Sequence, residues 1–174
     1  MRRVIAHSLT QEGFASFGDV LDIAGAPDRL INAGLCGRYH DRATLDFGDG
    51  GRAGISLFDA EARSLPYTLD LLERHPDGSQ AFIPMHRNPW LVIVAEPGDT
   101  PGAIHAFIAG PGQGINLHRG TWHGVLTPLH APGLFAVVDR IGEGPNLQEY
   151  RLDPPILIDL ERSNASGPAR KGKG

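Results

Sequence analysis

The chain of 174 residues is 41% hydrophobic and 21% charged, as is usual for a globular protein, and its formal net charge is −4 at pH 7. This charge argues against a nucleic-acid-binding surface, and no apolar run approaches the ~20 residues needed to cross a bilayer. A single cysteine, Cys36, excludes an intrachain disulfide and a zinc site built from several cysteines. Since the N-terminus lacks the apolar region of a signal peptide, we expect a cytoplasmic protein without nucleic-acid or membrane partners.

Short segments bounded by glycine and proline follow one another along the chain, which contains 23 glycines and 14 prolines. The first is a predicted short N-terminal helix over residues 10–18, with Thr10 as N-cap, Gly18 at the end, and Phe14 and Phe17 on one side. Strands are then predicted at residues 19–23, 53–60, 90–95, 104–109 and 134–140, with two edge strands at 147–152 and 156–160.

The regular spacing of these strands and the scarcity of helix indicate an all-β sandwich or barrel rather than alternating β-α-β units. Residues 1–161 are predicted to form one domain, in keeping with the length of the chain. Residues 162–174 are mostly serine, glycine, alanine and basic side chains without periodicity, which predicts a disordered tail.

Residues 72–85 carry the first group of polar side chains suited to catalysis. Glu73 and His75 are two positions apart on a predicted strand and therefore face the same side, whereas Arg74 faces away, as a surface or dimer contact. A Pro-Asp-Gly turn follows, and the returning strand can place Gln80 across from this pair. Because inward polar side chains are costly in a plain core, we interpret these residues as part of a site.

Residues 110–123 carry the second group. His118 and His123 lie on either side of a turn that contains glycine, so both can return to one mouth of a barrel, with Trp122 facing the other way. Imidazole titrates nearest to neutral pH among the side chains and is the commonest metal ligand. These histidines are therefore candidates for proton transfer or metal binding.

The two stretches together resemble the two sequence motifs of cupins. His75 and His123 fall at motif positions, while Glu73 and Gln80 stand where the first motif commonly has His and Glu. Arg87 and His118 are further substitutions, for a glycine of the first motif and a proline of the second.

More specifically, the chain resembles the ureidoglycolate lyases from about residue 9 to residue 159. The similarity implies a cupin-like double-stranded β-helix (jelly-roll barrel), a homodimer and a divalent metal, Ni²⁺ by family description. It also implies a reaction that splits (S)-ureidoglycolate into glyoxylate and urea, in allantoin breakdown within purine catabolism. The segments that match in order and spacing are residues 38–41, 72–76, 80–85, 118–123 and 139–140.

The candidate residues fit the implied reaction. Ureidoglycolate is a hemiaminal, so its cleavage needs a base for the hydroxyl proton and an acid for the leaving urea nitrogen, which a carboxylate beside an imidazole can supply. We interpret Glu73 as the base or a metal ligand and His123 or His118 as the acid. The candidate catalytic residues are Glu73, His75, His118 and His123.

A cationic side chain is expected to hold the substrate carboxylate, and Arg38 is preferred because it shares a strand face with His40. The expected substrate-binding residues are Arg38, Tyr39, His40 and Gln80. The expected metal ligands are Glu73, His75, Gln80 and His123, a nitrogen and oxygen set that suits nickel, manganese, iron or zinc.

Two alternatives remain open from the sequence. One is a different metal-dependent cupin enzyme, such as a dioxygenase or an isomerase, which would share the barrel and the ligands. The other is a non-catalytic cupin that binds a small acid. The ordered family motifs favour the lyase over the first alternative, and the lack of a DNA-binding helix-turn-helix pattern counts against a regulator.

Overall fold

Strands dominate the computed structural model, which describes residues 1–161; the tail predicted at residues 162–174 lies outside the described residues. Within residues 1–161, no helix is long and apolar enough to span a membrane. One short helix, α1 (Gln11–Phe14), accompanies fourteen strands in this part of the chain. The strands are β1 (Arg3–Ser8), β2 (Gly18–Leu21), β3 (Arg29–Ile31), β4 (Cys36–Arg38), β5 (Arg52–Asp59), β6 (Tyr67–Arg74), β7 (Gln80–Pro84), β8 (Trp90–Ala95), β9 (Ile104–Ala109), β10 (Gly114–Leu117), β11 (Trp122–His123), β12 (Thr127–Pro128), β13 (Leu134–Ile141) and β14 (Gln148–Leu160).

Six strands close into a ring. The larger sheet has the order β11-β6-β14-β1-β9-β8-β12, and an additional pairing joins β11 to β8. Strand β1 runs parallel to β14 and β9, and the other pairs in this sheet are antiparallel. The ring encloses an apolar core that includes Leu72, Ile93, Trp122 and Ile158.

A five-stranded antiparallel sheet with the order β2-β10-β7-β13-β5 faces this ring. A second core lies between the two and includes Phe14, Phe82, Val94 and Phe135. Strand β8 is buried along its whole length because its side chains alternate between the two cores. The prediction of an all-β, cupin-like barrel with a short N-terminal helix is confirmed.

The helix is shorter than residues 10–18, so its predicted end at Gly18 is wrong. Thr10 is the N-cap, as predicted, and its hydroxyl accepts a hydrogen bond from Gly13 N at 3.1 Å. The helix then tightens into a turn in which Phe17 N donates to Phe14 O at 2.9 Å. Gly18 instead begins β2, where a Cβ atom would lie 2.0 Å from Asn116 O on the neighbouring strand. Close approach of β10, not helix termination, requires this glycine.

The two edge strands predicted near the C-terminus are also wrong, because they form one strand in the interior of the larger sheet. β14 pairs with β6 on one side and β1 on the other. Its pairing with β6 shifts register between Arg151 and Ile156, and Pro154 and Pro155 lie in this irregularity. A bulge accepts proline because no ladder hydrogen bond is required there.

Candidate active site

Three potential metal ligands meet where β6 and β11 run side by side. Glu73 on β6 is the register partner of His123 on β11, and His75 follows one residue after the end of β6. One ligand atom from each of the three side chains lies within 4.8 Å of the others. His123 is buried, and Glu73 and His75 are half-buried. Glu73 and His75 thus share one face, as the alternation predicts, and His123 points to the same face, between the ring and the five-stranded sheet.

Backbone carbonyls fix both imidazole rings. His75 Nδ1 lies 2.6 Å from Asn146 O, and His123 Nδ1 lies 2.9 Å from Thr121 O. A carbonyl oxygen only accepts hydrogen bonds, so Nδ1 carries the proton in each ring. In the neutral rings Nε2 therefore holds a lone pair, and both Nε2 atoms are buried without a hydrogen-bond partner among the described residues.

The lone pair of His123 faces a carboxylate. Its Nε2 lies 3.5 Å from Glu73 Oε1, within reach of an ion pair but outside hydrogen-bond geometry. When His123 Nε2 is protonated, its hydrogen bond is the main cause that lowers the pKa of the Glu73 carboxyl, against the opposing effect of burial, and the positive charges of protonated His123 and His75 add to it. A lone pair and a carboxylate oxygen repel each other unless a proton or a metal ion lies between them. The site therefore favours a bound cation.

The donor set fits a divalent metal ion. Glu73, His75 and His123 could hold it through one carboxylate oxygen and two imidazole nitrogens. Metal-binding histidines usually donate their other ring N–H to a carbonyl or carboxylate, as both rings do here. Three protein ligands leave coordination positions open to a substrate, which is typical of a catalytic metal site.

Gln80, the fourth expected ligand, lies at the start of β7. Its Nε2 donates to Asp139 Oδ2 at 3.3 Å, and its Oε1 is buried without a hydrogen-bond partner among residues 1–161. Leu117, the register partner of Gln80, lines a small interior cavity together with His123. An unpaired buried acceptor at this position is compatible with a ligand role.

The other predicted site residues are His118, Arg38, Tyr39 and His40, and in a single copy of the chain their side-chain partners lie outside this cluster. His118 Nε2 is 3.3 Å from Asp19 Oδ1, and the side chain is partly exposed. Arg38 Nη2 contacts His40 Nδ1 at 2.8 Å, and the Tyr39 hydroxyl donates to Gly25 O at 3.0 Å. In the part of the chain that the structure describes, no hydrogen bond, ion pair or ring contact joins Arg38, Tyr39 or His40 to the cluster.

Asn146 is a residue of the site that the sequence interpretation missed. Its carbonyl orients His75, and its side-chain Oδ1 accepts a hydrogen bond from Asp77 N at 2.8 Å. Asn146 therefore holds both ends of the turn that follows Glu73. Nothing in the local sequence indicated this role, because Asn146 comes from the loop between β13 and β14, far along the chain. Asp139, the partner of Gln80, was missed as well, although it lies in a segment that resembles the family.

The predicted orientation of Arg74 agrees with its contacts. The guanidinium lies over the Trp122 ring at 4.4 Å and donates to Gly98 O at 2.9 Å. Trp122 belongs to the core inside the ring, whereas its neighbour His123 points to the other face. Arg74 consequently packs on the side of the sheet opposite to the cluster.

Comparison with known proteins gives a consistent result. The family model described as ureidoglycolate lyase matches residues 1–159. The ureidoglycolate lyase of Rhodobacter capsulatus is 61% identical over 160 residues, which cover 91% of this chain and 99% of that protein. The ureidoglycolate lyase of Mesorhizobium japonicum is 50% identical over 162 residues, covering 92% and 99%. That of Pseudomonas savastanoi pv. phaseolicola is 42% identical over 170 residues, covering 96% and 100%.

The substitution Asn146→Ala tests whether the β13–β14 loop positions His75. It removes the side-chain acceptor for Asp77 N and loosens the carbonyl that orients the imidazole. We expect the affinity for Ni²⁺ or Zn²⁺, measured by calorimetry, to fall about 10- to 100-fold, as when other outer-shell partners are lost. Asn88→Ala, which removes an amide that contacts Ala131 O elsewhere, is the matched control and should bind normally. Unchanged affinity in Asn146→Ala would contradict the positioning role.

The lowered pKa of Glu73 predicts a pH-dependent contribution to stability in the metal-free protein. Because the folded-state pKa lies below the usual 4.5, the ionised carboxyl stabilises the fold above pH 4.5, and this contribution is lost as the pH falls through the folded-state value. We expect the difference in Tm between the unaltered chain and Glu73→Gln to change in this acidic range. Thermal unfolding from neutral pH to about pH 3 measures it. A difference that stays constant across the range would contradict the shift.

Proposed function

The chain belongs to the ureidoglycolate lyase family, and on this premise we propose that it cleaves (S)-ureidoglycolate into glyoxylate and urea at the cluster of Glu73, His75 and His123. The observation that carries the proposal is the convergence of an ionised carboxyl and two imidazole nitrogens with free lone pairs. These groups can accept and donate protons or bind a metal ion. No observation on the described residues favours a dioxygenase, an isomerase or a non-catalytic binding protein.

The reaction is an elimination that consumes no water. The substrate carbon bears a hydroxyl group, a hydrogen, a carboxylate and a urea nitrogen. A base removes the hydroxyl proton, the oxygen electron pair forms the C=O bond of glyoxylate, and the C–N bond breaks. The C–N electron pair stays on the urea nitrogen, which takes a proton from the acid. The proton count therefore balances with one base and one acid.

We assign Glu73 as the base and His123 as the acid. Glu73 is assigned as the base because it is the carboxyl group of the cluster and is ionised at neutral pH. His123 is suited to deliver a proton from Nε2 in its doubly protonated form, because Thr121 O accepts the Nδ1 hydrogen bond and fixes the opposite side of the ring. His75, held by Asn146 O, is assigned to orient the substrate or the metal. The substrate contacts expected for Arg38, Tyr39 and His40, and the acid role considered for His118, have no support within one chain.

We further propose that the cluster holds a divalent metal ion, Ni²⁺ in keeping with the family resemblance. Glu73, His75 and Gln80 Oε1 would bind it, and His123 Nε2 would be a further ligand only in the state in which it is not the proton donor. Such an ion would supply Lewis acidity to the hydroxyl and carboxylate oxygens of the substrate. The nitrogen and oxygen donors alone suit several divalent metals.

A homodimer is proposed from the exposed apolar face of the five-stranded sheet. Ile55 and Leu57 on β5 are 77% and 66% exposed, and Ile83 and Met85 on or beside β7 are 42% and 55% exposed. Leu57, Ala136 and Ile83 form one row across the sheet, so these side chains share a face. A contiguous apolar patch of this kind usually marks an interface, and a second copy of the chain could cover it symmetrically.

The cellular setting is proposed on more general grounds. The single cysteine, Cys36, is free and exposed, which suits a reducing cytoplasm. The substrate implied by the family places the enzyme in allantoin degradation within purine metabolism. The reaction can be tested on the purified protein whatever its location in the cell or its metabolic pathway.

Turnover of racemic ureidoglycolate is the direct test of function. We expect loss of one enantiomer with equal yields of glyoxylate and urea, and lower activity after exhaustive chelation that returns with added Ni²⁺. Glu73→Gln should reduce kcat by about 100-fold or more, because it removes the base while preserving shape. Asp70→Asn, an exposed carboxyl-to-amide change on the same strand, is the matched control and should keep full kcat. Ammonia as the direct nitrogen product, or full kcat in Glu73→Gln, would contradict the mechanism.

The dimer is tested by placing a charge on the apolar face. Leu57→Asp should convert a dimer into a monomer, because a carboxylate would have to be buried without a partner in the interface. Light scattering coupled to gel filtration measures the mass. Leu35→Asp, at a residue that is 90% exposed next to β4, is the control and should remain dimeric. A monomeric unaltered chain, or a dimeric Leu57→Asp variant, would contradict the proposal.

A further inference from the structure

A second cavity of about 560 Å³ lies at the opposite end of the strands from Glu73. At the cluster end, His75 O accepts a hydrogen bond from Gly120 N, and Gln80 at the start of β7 pairs with Leu117 at the end of β10. The cavity is instead lined by residues before β10 and after β7, at the other ends of the same strands. It is therefore separate from the cluster and is used by no step of the proposed reaction.

Arg42 is held rigidly in the wall of this cavity. Its Nη2 pairs with Asp28 Oδ2 at 3.1 Å, and its guanidinium lies 5.3 Å from the centre of the Tyr39 ring, which also lines the cavity. Its Nε is buried and has no hydrogen-bond partner among the described residues. Among the described residues its Nη2 forms the only hydrogen bond of the guanidinium, so Nη1 remains as a donor for an anionic ligand.

Arg87 provides a second positive charge in the wall. Its guanidinium lies beside Gly112, with Nη1 3.8 Å from the place where a Cβ atom would be. Among residues 1–161, Arg87 forms no ion pair or hydrogen bond. The carboxylate of Asp22 also lines the cavity, but both of its oxygens accept hydrogen bonds, from Ala24 N at 3.2 Å and Gln113 Nε2 at 3.0 Å.

The rest of the wall is largely apolar. Leu21, Ile23 and Pro111 line the cavity beside the Tyr39 ring, and Ile23 is 73% exposed. Concave sites of this size that combine apolar walls with a few charged groups are typical of small-molecule binding. An inorganic anion would use the guanidinium groups and leave the apolar wall without a contact.

We infer that this cavity binds a small organic acid, whose carboxylate is held by Arg42 and Arg87 and whose carbon skeleton packs on Tyr39, Ile23 and Pro111. Guanidinium groups match the planar geometry and charge of a carboxylate. The inference does not rest on the proposed lyase reaction, since it uses none of the residues of the Glu73 cluster.

Calorimetric titration of the metal-free full chain with succinate, benzoate and inorganic phosphate tests the inference. At least one of the two organic acids should bind, and more tightly than phosphate. Arg42→Gln and Arg87→Gln should each weaken this binding about tenfold or more, since each removes a charged hydrogen-bond donor. Arg52→Gln, at an exposed arginine whose one side-chain hydrogen bond within residues 1–161 is to Ala53 O, is the matched control and should bind normally. Glu73→Gln should also bind normally.

Circular dichroism of each variant distinguishes loss of folding from loss of binding, and Arg87→Gln removes no hydrogen bond or ion pair within residues 1–161. Binding by neither organic acid would overturn the inference. It would equally be overturned by undiminished binding in Arg87→Gln, by loss of binding in Glu73→Gln, or by phosphate binding as tightly as the acids. Retained lyase activity alongside any of these outcomes would leave the proposed function untouched.

Discussion

The site depends on two backbone hydrogen bonds to histidine. Asn146 O and Thr121 O accept hydrogen bonds from Nδ1 of His75 and His123, which leaves a lone pair on each neutral Nε2, and Nε2 of His123 lies 3.5 Å from the carboxyl group of Glu73. Three electron-rich groups buried together repel each other unless a cation joins them. A proton or a metal ion bound between these groups would remove the repulsion. Both proton transfer and metal binding suit the cleavage of a hemiaminal.

The fold supplies this arrangement through strand pairing. Glu73 and His123 are direct partners across β6 and β11, so their Cβ atoms lie side by side on one face. Leu72 and Trp122, one position earlier on each strand, fill the core inside the ring. Since a shift by one residue would exchange the two faces, the same packing that stabilises the ring also keeps the charged pair outside it.

The two ends of the barrel are chemically different. One end combines a carboxyl group with imidazoles and accounts for the proposed reaction. The other combines guanidinium groups with an apolar wall. The exposed apolar side chains of the five-stranded sheet form a third surface between these ends. Cupin-like barrels can carry such separate features because rigid strands hold their ends apart.

The all-β barrel, the shared face of Glu73 and His75, and the opposite direction of Arg74 could be predicted from the sequence, because strand alternation is a local property with a period of two. Tertiary structure was needed to show that His123 rather than His118 joins the pair, that Asn146 holds His75, and that Arg38 lies elsewhere within one chain. It also decided that residues 148–160 form one interior strand. These outcomes depend on register between segments distant along the chain, and local patterns do not encode which strands become neighbours.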